Sequence, residues 1–145
     1  MTAASADELD FVQIDGKLIE RAVEALKRAK CAGFRVVTAE SCTGGLIATV
    51  LSEAPGAAEY LDGGFVTYTP EQKCTALKLD PKLIEQYGAV SAQVADAMAR
   101  GALDGSQAEI AVSVTGIADR SRTSVAIPSV LSISPVRERR GAVLA

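Results

Sequence analysis

Ser41 and Cys42 sit side by side in the segment Thr38-Ala39-Glu40-Ser41-Cys42-Thr43-Gly44-Gly45, and either can act as a nucleophile. A serine hydroxyl attacks poorly until a neighbouring base removes its proton. The chain contains no histidine, which excludes a Ser-His-Asp triad or Cys-His dyad within one subunit and any histidine metal site. The base must then be a lysine, a tyrosine or a carboxylate. Lys73 and Tyr68 bracket a second strand-to-helix junction and are the candidates. A lysine is a base only when neutral, so Lys73 must be desolvated or held beside another cation. Tyr68 would relay the proton or orient the amine. Outside such a site, a lysine in the first turn of a helix is a solvated surface charge.

The same loop carries groups suited to holding a substrate. Gly44 and Gly45 let backbone N–H groups approach a ligand closely. The N–H groups from Cys42 to Gly45, at the positive end of the following helix, suit an oxyanion or a phosphate. Glu40, Cys42, Thr43, Gly44 and Gly45 are therefore the expected substrate-binding set, joined by Thr115 and Gly116 from another strand end. The plainer alternative is a capped turn with Ser41 or Thr43 as N-cap and the glycines as spacers. Cys42 at a helix N-terminus can have a lowered pKa, but without a histidine partner it ranks behind Ser41. Otherwise it is a small packing residue, as Cys31 and Cys74 are expected to be.

Strands that deliver these residues are legible on either side of them. Arg35–Thr38 is a β-branched run that enters the first loop, and Leu46–Leu51 leaves it as a helix. In open α/β sheets, ligands bind at such carboxyl ends of strands. Upstream, Leu18, Ile19, Ala22, Val23, Leu26 and Ala29 recur at intervals of three and four, which predicts an amphipathic helix from Asp15 to Ala32 stopped by Gly33. Tyr60–Tyr68 reads as a second strand, with Gly63-Gly64 marking a bulge or a close backbone approach. Thr69-Pro70 and Asp80-Pro81 open two short helices, the second closed by Gly88. Ser91 caps a helix to about Leu103 that turns Val94, Ala95, Met98 and Ala102 to the core. Ile110–Gly116 is a buried strand. Strands alternating with helices predict an α/β layered domain, a mixed central sheet flanked by helices.

The 145 residues suit one domain with a real hydrophobic core. No apolar stretch approaches the roughly 20 residues that span a bilayer, and residues 1–8 lack the basic and apolar regions of a signal peptide. Three cysteines without metal-type spacing disfavour a disulfide framework or a zinc site. The expectation is a cytoplasmic protein with no metal, no cofactor and no membrane partner. A net charge of −3 argues against a nucleic-acid surface. Charge is uneven, however: residues 119–145 carry five arginines against two acids, leaving −6 on residues 1–118.

Four ordered blocks resemble the CinA C-terminal domain family: Thr38–Gly45, Gly64–Tyr68 with Lys73 following, Gly88–Ser91, and Ser113–Ala118. Members of that family are nicotinamide-nucleotide amidases, which hydrolyse the carboxamide of nicotinamide mononucleotide. The resemblance implies a small nucleotide substrate, Ser41 as nucleophile, Lys73 as base and Tyr68 assisting, without histidine or metal. A silent nucleotide-binding or regulatory module is the competing expectation. The resemblance covers about residues 15–118, after a lead-in at 1–14. Past Ala118 the family continues with a Gly-Pro-Gly-rich loop, more sheet and a final helix, whereas this chain reads Asp119-Arg120-Ser121-Arg122-Thr123-Ser124. So abrupt a change is what a shift of reading frame would produce. It predicts an atypical tail over 119–145, with an edge strand within Val125–Ile133 interrupted by Pro128. Apolar surface left uncovered by that change would drive self-association.

Overall fold

The computed structural model describes residues 14–117 and a strand at 129–134. Strands β1 (Val36–Glu40), β2 (Leu61–Val66), β3 (Ile110–Gly116) and β4 (Ser129–Ser134) form one sheet in the order β2-β1-β3-β4. β1 runs parallel to β2 and β3, and β4 returns antiparallel to β3. Helices α1 (Gly16–Ala32), α2 (Leu46–Ser52), α3 (Pro70–Leu77), α4 (Pro81–Tyr87) and α5 (Ala92–Asp104) complete the described layers. This is the expected α/β domain with a mixed sheet. β4 begins at the residue after Pro128, consistent with a proline's inability to donate to a strand ladder. Residues 1–13 of the lead-in and the rest of the tail lie outside the described residues.

Local signals set most helix ends. Asp15 accepts from the Lys17 N–H, and Gly33, at φ 69°, closes α1. Thr69 accepts from the Gln72 N–H ahead of Pro70, and Ser91 accepts from the Val94 N–H at the start of α5. α2 departs from expectation. Its N-cap position is Gly45, at φ 96°, and neither Ser41 nor Thr43 caps it.

β1 is buried at every residue because both of its faces are covered. Val37 and Ala39 pack with Leu77, Val94, Met98 and Ala111 on one face. Val36 packs with Leu26, Ala29, Ala54 and Ala57 on the other. Side chains alternate along a strand, so even-numbered β1 residues face α1 and α2 while odd-numbered ones face α5 and its neighbours. The small residues of α5 permit a tight contact with α3: a Cβ on Gly101 would lie 2.1 Å from the Leu77 carbonyl oxygen.

The Gly63-Gly64 signal resolves into both of its alternatives. Register skips Asp62, since Val36 faces Leu61 and Val37 faces Gly63. A Cβ on Gly64 would sit 2.5 Å from Thr38 Oγ1 and 3.0 Å from Ala48 Cβ. Among the described residues no helix is long and apolar enough to cross a membrane.

Candidate active site

The turn Ser41–Gly45 leaves β1 at its carboxyl end, flanked by the ends of β2 and β3. Ser41 is anchored through its N–H to the Val114 carbonyl on β3 (3.1 Å), and its own carbonyl accepts from the Gly44 N–H (3.0 Å). Its position, one past Glu40, turns its side chain to the opposite face from Glu40. There it meets α3. Lys73 Nζ lies 2.8 Å from Ser41 Oγ and 2.8 Å from the Thr67 carbonyl oxygen. Both side chains are shut away from solvent, with 1% of Lys73 and 5% of Ser41 exposed.

Burial without a carboxylate partner disfavours the charged amine. It holds Lys73 below the ordinary lysine value of 10.5, against a smaller opposing pull from the Cys42 sulfur. A neutral amine has two N–H donors and one lone pair. One donor is spent on the Thr67 carbonyl, and the lone pair can then accept the Ser41 proton. The contact has the geometry that a nucleophile and its base require.

Tyr68 is not joined to the pair. It is 63% exposed and makes no hydrogen bond to Ser41 or Lys73, whereas Thr67 beside it is buried. The chain beyond β2 continues to alternate, so one neighbour faces in and the next faces out. Thr67 joins the candidate site through its backbone carbonyl, and the Phe65–Tyr68 alternation is the sequence signal for its inward face. Its N–H also donates to the Glu40 carbonyl (2.8 Å), which ties the end of β2 to the start of the Ser41–Gly45 turn.

Glu40 is not free to bind a substrate. Its carboxylate is completely buried and points toward α2. Oε1 accepts from Thr38 Oγ1 (3.0 Å) and the Ala48 N–H (2.8 Å); Oε2 accepts from Thr43 Oγ1 (2.7 Å) and the Ile47 N–H (2.9 Å). An ionised carboxylate offers about four lone-pair sites, and all are occupied. Glu40 thus performs the capping expected of Ser41 or Thr43, and it takes up the first-turn N–H groups of α2. The donors left for an anion lie earlier in the turn. Among the described residues, the N–H groups of Cys42, Thr43 and Gly45 have no protein acceptor.

The remaining candidates divide similarly. Cys42 is half-buried with a free thiol, and Gly44, at φ 63°, is exposed on the turn. Thr115 is 1% exposed and spends its hydroxyl proton on the Ala89 carbonyl (2.8 Å), binding β3 to the segment before α5. Gly116 is half-buried at the end of β3.

A mixed sheet with a buried serine–lysine pair at the carboxyl ends of its parallel strands defines an α/β domain whose candidate site is built from strand-end loops. The chain belongs to the CinA C-terminal domain family, whose profile matches residues 17–132 and so extends past Ala118 into β4. A CinA-like protein of Mycobacterium tuberculosis is 47% identical over 107 residues, 74% of this chain and 24% of that protein. One from Mycobacterium avium is 48% identical over 104 residues, 72% of this chain and 23% of that protein. The chain thus spans about a quarter of the length of these curated relatives. Among solved structures, a competence/damage inducible protein from Agrobacterium tumefaciens is 37% identical with a TM-score of 0.73, over 88% of this chain and 84% of that one. A competence-damaged protein (CinA) superfamily member from Escherichia coli is 29% identical with a TM-score of 0.69, over 87% and 82%.

Proposed function

We propose that this chain hydrolyses the carboxamide of nicotinamide mononucleotide to nicotinate mononucleotide and ammonia, with Ser41 as nucleophile and Lys73 as base. The observation that carries the chemistry is the buried 2.8 Å contact between Lys73 Nζ and Ser41 Oγ. The choice of substrate rests on the resemblance to nicotinamide-nucleotide amidases.

Ser41 Oγ attacks the carboxamide carbon while its proton passes to the neutral Lys73 amine. The carbonyl oxygen becomes an oxyanion, for which the N–H groups of Cys42, Thr43 and Gly45 are the available donors. Lys73 then gives its proton to the departing nitrogen, so that ammonia leaves and an acyl ester on Ser41 remains. A water molecule, deprotonated by Lys73, attacks that ester, and the returned proton regenerates the serine hydroxyl. The Thr67 carbonyl keeps the amine aimed at Oγ throughout.

The test is ammonia release from nicotinamide mononucleotide by this chain and by Ser41→Ala, Lys73→Ala and Cys42→Ser. Loss in the first two variants and retention in the third is the expected result. No turnover by a folded wild-type chain refutes hydrolysis. Calorimetric binding of the nucleotide by that inert chain would then identify a silent binding module.

A further inference from the structure

Glu40 is the buried ionisable group that the hydrolytic steps do not use, and its bonding goes beyond an ordinary helix cap. A usual N-cap sits at the helix end and accepts from a group two or three residues on. Glu40 instead reaches from the end of β1 across the whole turn to Ile47 and Ala48, bonding Thr43 on the way. The nucleophile lies inside the ring so formed. Thr38, two residues back on the same strand face, supplies the fourth bond. Gly64 of β2 leaves the space that the Thr38 hydroxyl occupies.

We propose that Glu40 is a positioning residue: its carboxylate locks the Ser41–Gly45 turn so that the serine oxygen and the free N–H donors hold their geometry for attack. The proposal rests on the reading of Ser41 as nucleophile. Strand alternation makes the division of labour economical, because consecutive residues address opposite faces of the sheet. Ser41 meets its base on α3 while Glu40 fixes the loop from the α2 side. Every contact of the carboxylate is made by a donor. In either orientation Glu40→Gln sets an amide NH2 against a backbone N–H, of Ala48 or of Ile47. The threonine hydroxyls can rotate to accept but an N–H cannot, so the turn must shift to relieve the conflict. Thr43→Val removes one bond at nearly constant volume.

The experiment uses the full chain and a serine-reactive fluorophosphonate, with labelling followed by intact mass and nicotinamide mononucleotide turnover measured in parallel. Misplacement of a nucleophile by about 1 Å costs on the order of 10²-fold in rate, which is the loss expected for Glu40→Gln. Thr43→Val should lose about tenfold, with KM moved by less than about twofold and Thr43→Ser restoring the rate. Final labelling should stay at one probe per chain in both variants, because a slower nucleophile is still present in every molecule. A purely structural role would lower that final stoichiometry, together with the folded signal, and leave the labelling rate of the remaining molecules unchanged. That outcome, or wild-type rates in both variants, overturns the proposal. If Glu40→Gln does not fold, Thr43→Val decides alone. Failure of the underlying reading looks different: Ser41→Ala would label and turn over like wild type, or the wild-type chain would do neither, and the positioning role falls with it.

Discussion

Lys73→Met removes the amine while keeping an unbranched side chain of similar length in the cleft between Ser41 and Thr67. The 2.8 Å contact with Ser41 Oγ and 1% exposure put the amine within proton-transfer reach of the serine, as the proposed role requires. General-base assistance is worth about 10²–10⁴ in rate, equivalent to about 2.7–5.5 kcal/mol of barrier. Turnover of Lys73→Met should fall by that factor. The pH profile gives a second handle. Because burial holds the amine below 10.5, the neutral form grows as pH rises toward the folded value. Wild-type kcat/KM should therefore climb with pH, about tenfold per unit on its acid limb, and level off below 10.5. Lys73→Arg separates base from charge, since a guanidinium keeps the positive charge but does not deprotonate. It should be as inactive as Lys73→Met. The assay is ammonia release across pH, with circular dichroism confirming the fold of each variant. Appreciable turnover by Lys73→Arg, or a wild-type profile flat up to 10.5, would refute lysine as the base.

Three further outcomes follow from the same contacts. The folded pKa of Lys73 lies below its unfolded value, so as pH falls from 10.5 the unfolded chain takes up the proton first and stability drops until the folded value is reached. Urea titrations should show wild type gaining stability relative to Lys73→Met as pH rises through that window; an equal slope for both would contradict the burial argument. Cys42→Ser should retain turnover within a few-fold, because the backbone N–H at this position is unchanged and the proposed nucleophile is Ser41. Loss equal to that of Ser41→Ala would transfer the role to Cys42. Gly101→Ala gains about 1 kcal/mol of helix propensity but forces a Cβ to 2.1 Å from the Leu77 oxygen. Overpacking of about 1–3 kcal/mol outweighs that gain, and Tm should fall by a few degrees; a higher Tm would show that α3 yields freely.

Much of the layout was legible locally. Asp15, Thr69-Pro70, Asp80-Pro81, Ser91 and Gly33 mark helix ends where the structure has them. Caps and prolines act within three or four residues, so their meaning does not wait on the rest of the chain. The α2 cap escapes local pattern for the complementary reason: its carboxylate comes from the preceding strand, seven and eight residues away. Gly101 carried a packing role that helical periodicity alone does not reveal.

Chemistry was bounded by composition before any fold was known. A chain without histidine leaves Ser41 to seek a lysine, a tyrosine or a carboxylate as base, and the strand-to-helix junctions mark where to look. Tertiary structure sets Lys73, and not Tyr68 or the Glu40 carboxylate, against the Ser41 hydroxyl. Lys73 reaches Ser41 across 32 residues because β1 and β2 run parallel and their carboxyl ends align, with α3 returning over that edge. Alternation at those strand ends then sorted neighbours into different surroundings: Thr67 faces the amine while Tyr68 faces solvent, and Ser41 meets Lys73 while Glu40 is enclosed by four donors. Which face a residue takes depends on register and on where the strand ends. Both are set by pairing with distant segments, so adjacent letters in the sequence cannot decide it alone.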